Sequence, residues 1–130
     1  MASSKDYFIS ARKKFITNEY SRKISHLFRY YYDAILISSK TANADKSVLS
    51  CRIEGLENHS PLRLIIDREL KIIKTSAIIN DSRKKNTIIF HNSNNKMKIN
   101  SLKSKGIKLK YVDLDINGQL NLKKIFSNIY

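Results

Sequence analysis

The chain has 130 residues, of which 42% are hydrophobic, enough for one ordinary core and not for two. No stretch approaches about 18 uncharged apolar residues, which excludes a membrane-spanning helix, and the N-terminus MASSKDYFISARKK lacks the apolar core of a secretory signal. The single cysteine, Cys51, excludes internal disulfides and multi-cysteine zinc sites, so a soluble cytoplasmic domain is expected.

A net charge of +14 raises an alternative reading, a small basic nucleic-acid-binding module. Such a module wants lysines on one face with aromatics interleaved to stack on bases. Here Lys23, Lys40, Lys46, Lys71, Lys74, Lys96, Lys103, Lys108 and Lys123 are scattered. Lys, Ile and Asn are also the residues that A+T-rich codons supply most, so composition accounts for the charge. No specific nucleic-acid partner is expected, only weak attraction to polyanions.

In chain order, Thr17 is suited to cap a helix whose first turn carries Glu19, where a negative charge complements the helix dipole. Tyr20, Ile24, Leu27, Phe28 and Tyr31 then recur at helical spacing, which predicts an amphipathic helix from about Asn18 to Tyr31. Asp33 ends it. Ala34-Ile-Leu-Ile37 is continuously apolar and predicts a strand buried on both faces. Ser38 to Asp45 is polar and reads as a turn or a single helical turn. Asn58-His-Ser-Pro61 is a connector, Leu62 to Asp67 a second strand, and Thr87 to His91 a third. Asn95 to Lys105 predicts a lysine-rich helix ended by Gly106. Ile107 to Val112 alternates as a fourth strand, and Leu120, Leu122, Ile125, Phe126 and Ile129 predict a last amphipathic helix. Strands and helices in this order favour an α/β fold with parallel crossovers. Without a first strand, and with no strand after the last helix, the chain reads as the middle of a domain.

Several motifs have simple structural readings. Asp113-Leu-Asp-Ile-Asn-Gly118 opens like a calcium loop, but the twelfth position, which needs a bidentate glutamate, is Lys124. An Asn-Gly turn is the expectation, and no metal site is expected. His26, His59 and His91 show no metal-ligand spacing and are expected to be satisfied or solvated side chains. Cys51 is expected to be a half-buried apolar residue. Tyr30-Tyr-Tyr32 cannot share one helical face, so packing at the helix end is preferred to a stacking platform. Arg83-Lys-Lys85 reads as a solvated loop. The stronger signal is positional: Ser38-Ser-Lys-Thr-Ala-Asn-Ala-Asp45 sets hydroxyls and a carboxylate after a strand, where open α/β sheets bind ligands. Arg29 and Arg52 flank that segment with two guanidiniums suited to a phosphate.

These residues resemble the pyrimidine-reductase domain of riboflavin biosynthesis. Phe15-Ile-Thr17, Arg29, Ala34-Ile-Leu-Ile37, Thr41-Ala-Asn-Ala-Asp45 and Leu49-Ser-Cys-Arg52 follow the family's order and spacing without a gap. Pro61-Leu-Arg-Leu-Ile-Ile-Asp67 is similar to its Pro-x-Arg strand, and Asp115-Ile-Asn-Gly118 with Leu120 and Leu122 to its D-x-x-G-x-L-x-L. Ser4-Lys-Asp6 resembles its S-x-D-G turn, with Tyr7 in the glycine's place.

The resemblance implies a dihydrofolate-reductase-like α/β fold, a mostly parallel sheet flanked by helices, here truncated. It implies reduction of the ribosyl group of 5-amino-6-(5-phosphoribosylamino)uracil to ribityl with NADPH as cofactor. Lys13, Arg29, Leu49 and Arg52 would line the phosphorylated pyrimidine. Ala2, Phe15, Thr41, Asp45 and Arg68 would meet the cofactor, with Asp45 the catalytic candidate nearest the reacting centre. Phe15 replaces the usual tryptophan, and Lys13 and Arg68 are bulky cations where smaller residues are common. The whole chain, 1–130, is expected to be a partial domain lacking the first strand and the C-terminal Glu-x-Gly-rich segment. It is therefore expected to be weak or inactive in isolation, with an exposed sheet edge at which a homodimer or other partner could pair.

Overall fold

Four short apolar segments build the sheet in the computed structural model, which describes residues 18–45, 48–81, 86–127 and 129. In chain order the elements are α1 (Glu19–Tyr31), β1 (Ala34–Ser38), α2 (Ser39–Asp45), β2 (Leu62–Ile66), α3 (Ala77–Asn80), β3 (Thr87–His91), α4 (Lys96–Lys103), β4 (Lys108–Tyr111) and α5 (Leu122–Ser127). The strands lie in the order β1-β2-β3-β4, and every pairing is parallel. This is the α/β architecture expected from the alternation of strands and helices. The register aligns the strand ends, with Ser38 beside Ile66 and Ile66 beside Phe90.

Period-two alternation sorts the core into two layers. Ile65 and Ile89, with Ile35, Ile37 and Leu109, face Ala42 of α2, Ile78 and Ile79 of α3, and Leu102 of α4. Leu64 and Phe90, with Leu36, Ile66 and Ile88, face the other way and pack with Val112, Leu120 and Ile125 of α5. Both faces of the central strands are therefore covered, and Ile65, Ile89 and Phe90 are fully buried.

The edges differ from the sequence expectations. β1 is only partly buried, because it pairs on one side alone among the described residues. Helix α1 buries none of its residues: Tyr20, Phe28 and Tyr31 are exposed although their spacing is that of a core-facing stripe. The cap of α1 is Asn18, whose side-chain oxygen accepts the Ser21 N–H at 2.8 Å; Thr17 lies outside the described residues. The polar run after β1 is a helix of 7 residues rather than one turn, and the short α3 was not foreseen. The lysine-rich α4 is capped by Asn95 and followed by Gly106 at φ +81. The last helix starts at Leu122, because Leu120 is taken by an antiparallel bridge to Leu114 that closes the Asp115–Gly118 turn. No described helix is long and apolar enough to cross a membrane.

Candidate functional site

The described site residues fall into two groups joined by α2. The first is a cationic corner where the second half of α1 meets the segment Val48–Arg52. Arg29 Nη1 donates to the Ser50 carbonyl at 3.1 Å and lies 3.5 Å from His26 Nδ1. His26 Nδ1 accepts the Arg52 backbone N–H at 3.1 Å. His26 and Arg29 are three residues apart on one helical face, so a single turn of α1 grips both ends of Ser50–Arg52.

The same segment is held from below by β2. Arg63 Nη1 donates to the Val48 carbonyl at 3.0 Å and pairs with Asp81 at 2.8 Å, and Cys51 N–H donates to Ser60 Oγ at 3.2 Å. Cys51 is fully buried rather than half-buried. Because Ser60 and Arg63 stand at the start of β2, the corner sits at the N-terminal end of the sheet. A cavity of about 240 Å³ opens beside it, lined by Ser25, Phe28, Arg29, Tyr32, Ala34, Ile35 and Pro61.

The electrostatics of the corner are one-sided. Burial, and then the adjacent Arg52 charge, lower the Arg29 pKa from its ordinary value. Burial and then the Arg29 charge likewise lower His26, against a backbone hydrogen bond at Ser50 that acts the other way. No carboxylate pairs with Arg29 or Arg52 among the described residues. Two neighbouring guanidiniums without a counter-ion form a site that an anion would neutralise. Leu49, between the two groups, is 7% exposed with its side chain in the core, and its backbone is left-handed at φ +57. A bulky residue in that region is strained, and the strain is stored in the segment that carries Arg52.

The second group lies at the C-terminal ends of the strands, where parallel sheets take ligands. Ser38 Oγ accepts the Thr41 N–H at 3.2 Å and stands 3.1 Å from the Thr41 hydroxyl, so Thr41 is fixed in the first turn of α2. Asn43 ties α2 to the loop after β2, accepting the Ile73 N–H at 2.9 Å and donating to the Lys71 carbonyl at 3.1 Å. Arg68 Nη1 donates to the Gly118 carbonyl at 2.7 Å, and Nη2 pairs with Glu69 at 2.8 Å. Lys71 also pairs with Glu69, and Lys98 Nζ donates to the Glu69 carbonyl. Hydrogen bonding from Lys71 and then Arg68 lowers the Glu69 pKa to about 2.

Asp45 ends α2 as an exposed residue, and its carboxylate makes no hydrogen bond or ion pair among the described residues. No hydrogen bond or ion pair joins Arg29 or Arg52 to Thr41, Asp45 or Arg68. The arginines that flank α2 in sequence are thus gathered with each other, at the opposite end of the sheet from the Thr41 turn. Ala2, Lys13 and Phe15 lie outside the described residues, as does Arg83-Lys-Lys85.

The remaining motifs resolve into structure. Asp115 Oδ1 accepts the N–H groups of Asn117 and Gln119 at 2.8 and 2.9 Å, building the turn that Gly118 completes at φ +70. Lys124 is ion-paired with Asp113. The Tyr30 ring packs edge-on against His59, while Tyr31 and Tyr32 are exposed. His26 is the residue of the corner that sequence reasoning passed over; its spacing of three from Arg29 was the available signal.

Comparison with known proteins speaks to the family and the fold. The sequence profile of the RibD C-terminal domain matches residues 3–130. A riboflavin biosynthesis protein RibD from Aquifex aeolicus (strain VF5) is 29% identical over 121 residues, covering 93% of this chain and 32% of that protein. The fold matches RibD of Acinetobacter baumannii (form 2) with a TM-score of 0.70 at 20% identity, covering 97% of this chain and 35% of that one. It also matches a pyrimidine reductase-like protein from Corynebacterium diphtheriae with a TM-score of 0.69 at 14% identity, covering 87% and 51%. The chain spans about a third of the length of the RibD proteins it matches. With nearly all of its length matched, the chain belongs to the RibD C-terminal domain family.

Proposed function

We propose that this chain is a reductase domain of riboflavin biosynthesis, acting on 5-amino-6-(5-phosphoribosylamino)uracil and reducing its ribosyl group to ribityl. The observation that carries the reading is the pair Arg29 and Arg52, two neighbouring guanidiniums with no carboxylate beside them among the described residues. In this reading they take the substrate phosphate, Arg29 anchored through Ser50 and Arg52 placed by the hydrogen bond of its backbone to His26. Family membership supplies the reaction class, and the two-group geometry supplies the orientation.

Asp45 is three positions before Val48, where the segment leading to Arg52 begins. A substrate held by its phosphate at the corner would extend its sugar along α2 towards this unpaired carboxylate. Asp45 is then the residue nearest the reacting carbon. Thr41, Arg68 and the lysines around Glu69 face the strand ends, and this set of hydroxyls and cations suits the ribose and phosphates of a dinucleotide. NADPH, when bound there, supplies the hydride; the protein's part is to orient the two molecules and exclude water between them. Lys13 from the substrate set, with Ala2 and Phe15 from the cofactor set, completes the assignment.

The test is a fluorescence titration of the purified chain with NADPH, followed by absorbance-monitored NADPH oxidation with the pyrimidine substrate added. Saturable NADPH binding, and slow oxidation that depends on the substrate, are expected. Failure to bind NADPH, together with retention on DNA or RNA lost only at high salt, overturns the reading in favour of the nucleic-acid alternative.

A further inference from the structure

Among the described residues the sheet has two outer strands, β1 and β4, and they are built differently. β4 is Lys108-Leu-Lys-Tyr111, and lysines on an outer strand are a common device for keeping an open edge from pairing. β1 is Ala34-Ile-Leu-Ile-Ser38 and carries no charge. Ile35 and Ile37 face the layer of α2, while Ala34 and Leu36 face the layer of α5. All four are only partly buried. An uncharged strand that is apolar on both faces and pairs on one side alone is the kind of edge to which another strand adds.

The parallel pairing with β2 fixes which backbone groups that edge offers. Ala34 aligns with Leu62, and the Leu62 N–H donates to the Asp33 carbonyl at 2.8 Å. Alternate residues of a parallel strand bond to a given neighbour, so Asp33, Ile35 and Ile37 turn their polar groups towards β2. Ala34 and Leu36 turn theirs to the open side. An exposed charge stands just beyond each end of the strand: Asp33 before it, and Lys40 in the first turn of α2 after it. Neither side chain has a hydrogen bond or ion pair among the described residues.

We infer that β1 is the contact strand of a homodimer, pairing antiparallel with β1 of a second copy about a two-fold axis beside Leu36. A strand that meets itself across a two-fold axis of this kind does so antiparallel, and the contact closes on itself. Leu36 is the middle residue, so a register centred on it pairs the strand along its full length. Leu36 then exchanges N–H and C=O with the partner's Leu36, using the groups that β2 leaves open. Ile35 stands opposite the partner's Ile37, an apolar cross-strand pair that the symmetry repeats. Asp33 comes opposite the partner's Ser39, with the partner's Lys40 one residue beyond. Each end of the strand therefore meets the opposite charge. Pairing of this kind is independent of the reductase chemistry.

The experiment is sedimentation equilibrium of the full chain, at about 0.3 M salt to screen the repulsion between chains of net charge +14. The wild type is expected to be a dimer with a dissociation constant on the order of micromolar. Lys40→Asp and Asp33→Lys each set like charges at both symmetric contacts and are expected to weaken the dimer about tenfold. The double variant, Asp33→Lys with Lys40→Asp, is expected to return to within about threefold of wild type. Leu36→Pro removes the open N–H without removing a bond to β2 and is expected to give a monomer, with circular dichroism reporting its folding. Should Leu36→Pro fail to fold, the charge reversals decide alone, since both positions are exposed. A wild type that stays monomeric up to about 0.1 mM overturns the inference, in favour of the chain's own residues 1–17 or a different protein as the occupant. A dimer that ignores the charge reversals, or that the double variant fails to restore, pairs elsewhere and overturns it equally.

Discussion

Arg63 and Arg29 both hold the segment from Val48 to Ser50 by a guanidinium hydrogen bond to a backbone carbonyl, at 3.0 and 3.1 Å. They differ in what balances the charge. Arg63 is 2% exposed and pairs with Asp81, so its charge is spent within the fold. Arg29 has another guanidinium, Arg52, as its neighbour and no carboxylate among the described residues. The same side chain holding the same segment is thus a clamp in one place and, in the proposed reading, an anion receiver in the other. The presence or absence of a counter-ion decides which.

The largest break in this comparison is at the clamp. Arg63→Met removes the ion pair to Asp81 and frees the Val48 carbonyl, and a loss of about 3 kcal/mol in urea-induced unfolding is expected. Should the variant retain wild-type stability, the ion pair would not be what holds the segment. At the receiver the balance reverses. Arg29→Met is expected to cost only about 1 kcal/mol of stability for its one backbone bond, but to weaken binding of the phosphorylated substrate at least tenfold by calorimetry. An equal loss of stability at Arg29 and Arg63 would erase the distinction.

A smaller effect sharpens the role of His26, which couples Arg29 to Arg52. Burial and the arginines lower its pKa in the folded chain, so the unfolded chain binds the proton more readily. Stability is therefore fully present above the unfolded value of about 6.5 and falls as pH drops below it. His91, also lowered, acts in the same direction. The melting temperature is expected to fall between about pH 7 and pH 5, and His26→Gln to flatten part of that slope. The smallest effect lies on the exposed face of α1, where Glu19 and Lys23 pair at 3.1 Å in full contact with water. Glu19→Gln should leave the melting temperature unchanged within error, because solvent screens such a pair.

Much of the fold was legible in the sequence. The period-two and continuous apolar runs identified all four strands, because burial on both faces demands residues such as those of Ile65 and Phe90. The resemblance to the reductase family was carried by residues in register, and the profile match confirmed it. Arg29 and Arg52 were singled out as candidates for one anion, and the structure places them together. Misreadings occurred where local pattern competes with context. The helical stripe Tyr20–Tyr31 does not state what will cover it, and Tyr20, Phe28 and Tyr31 remain exposed among the described residues. Cys51 and His26 look unremarkable in sequence because their partners, Ser60 and the Arg52 backbone, are 9 and 26 residues away.

The sequence by itself determined which segments become strands, the parallel α/β class, the family and the identity of the candidate charged groups, since these follow from local periodicity and residue chemistry. Tertiary structure alone decided which arginine is neutralised and which is not. It also decided on which end of the sheet the Arg29–Arg52 corner lies. Charge balance is set by neighbours distant in the chain, and only folding brings those neighbours within reach.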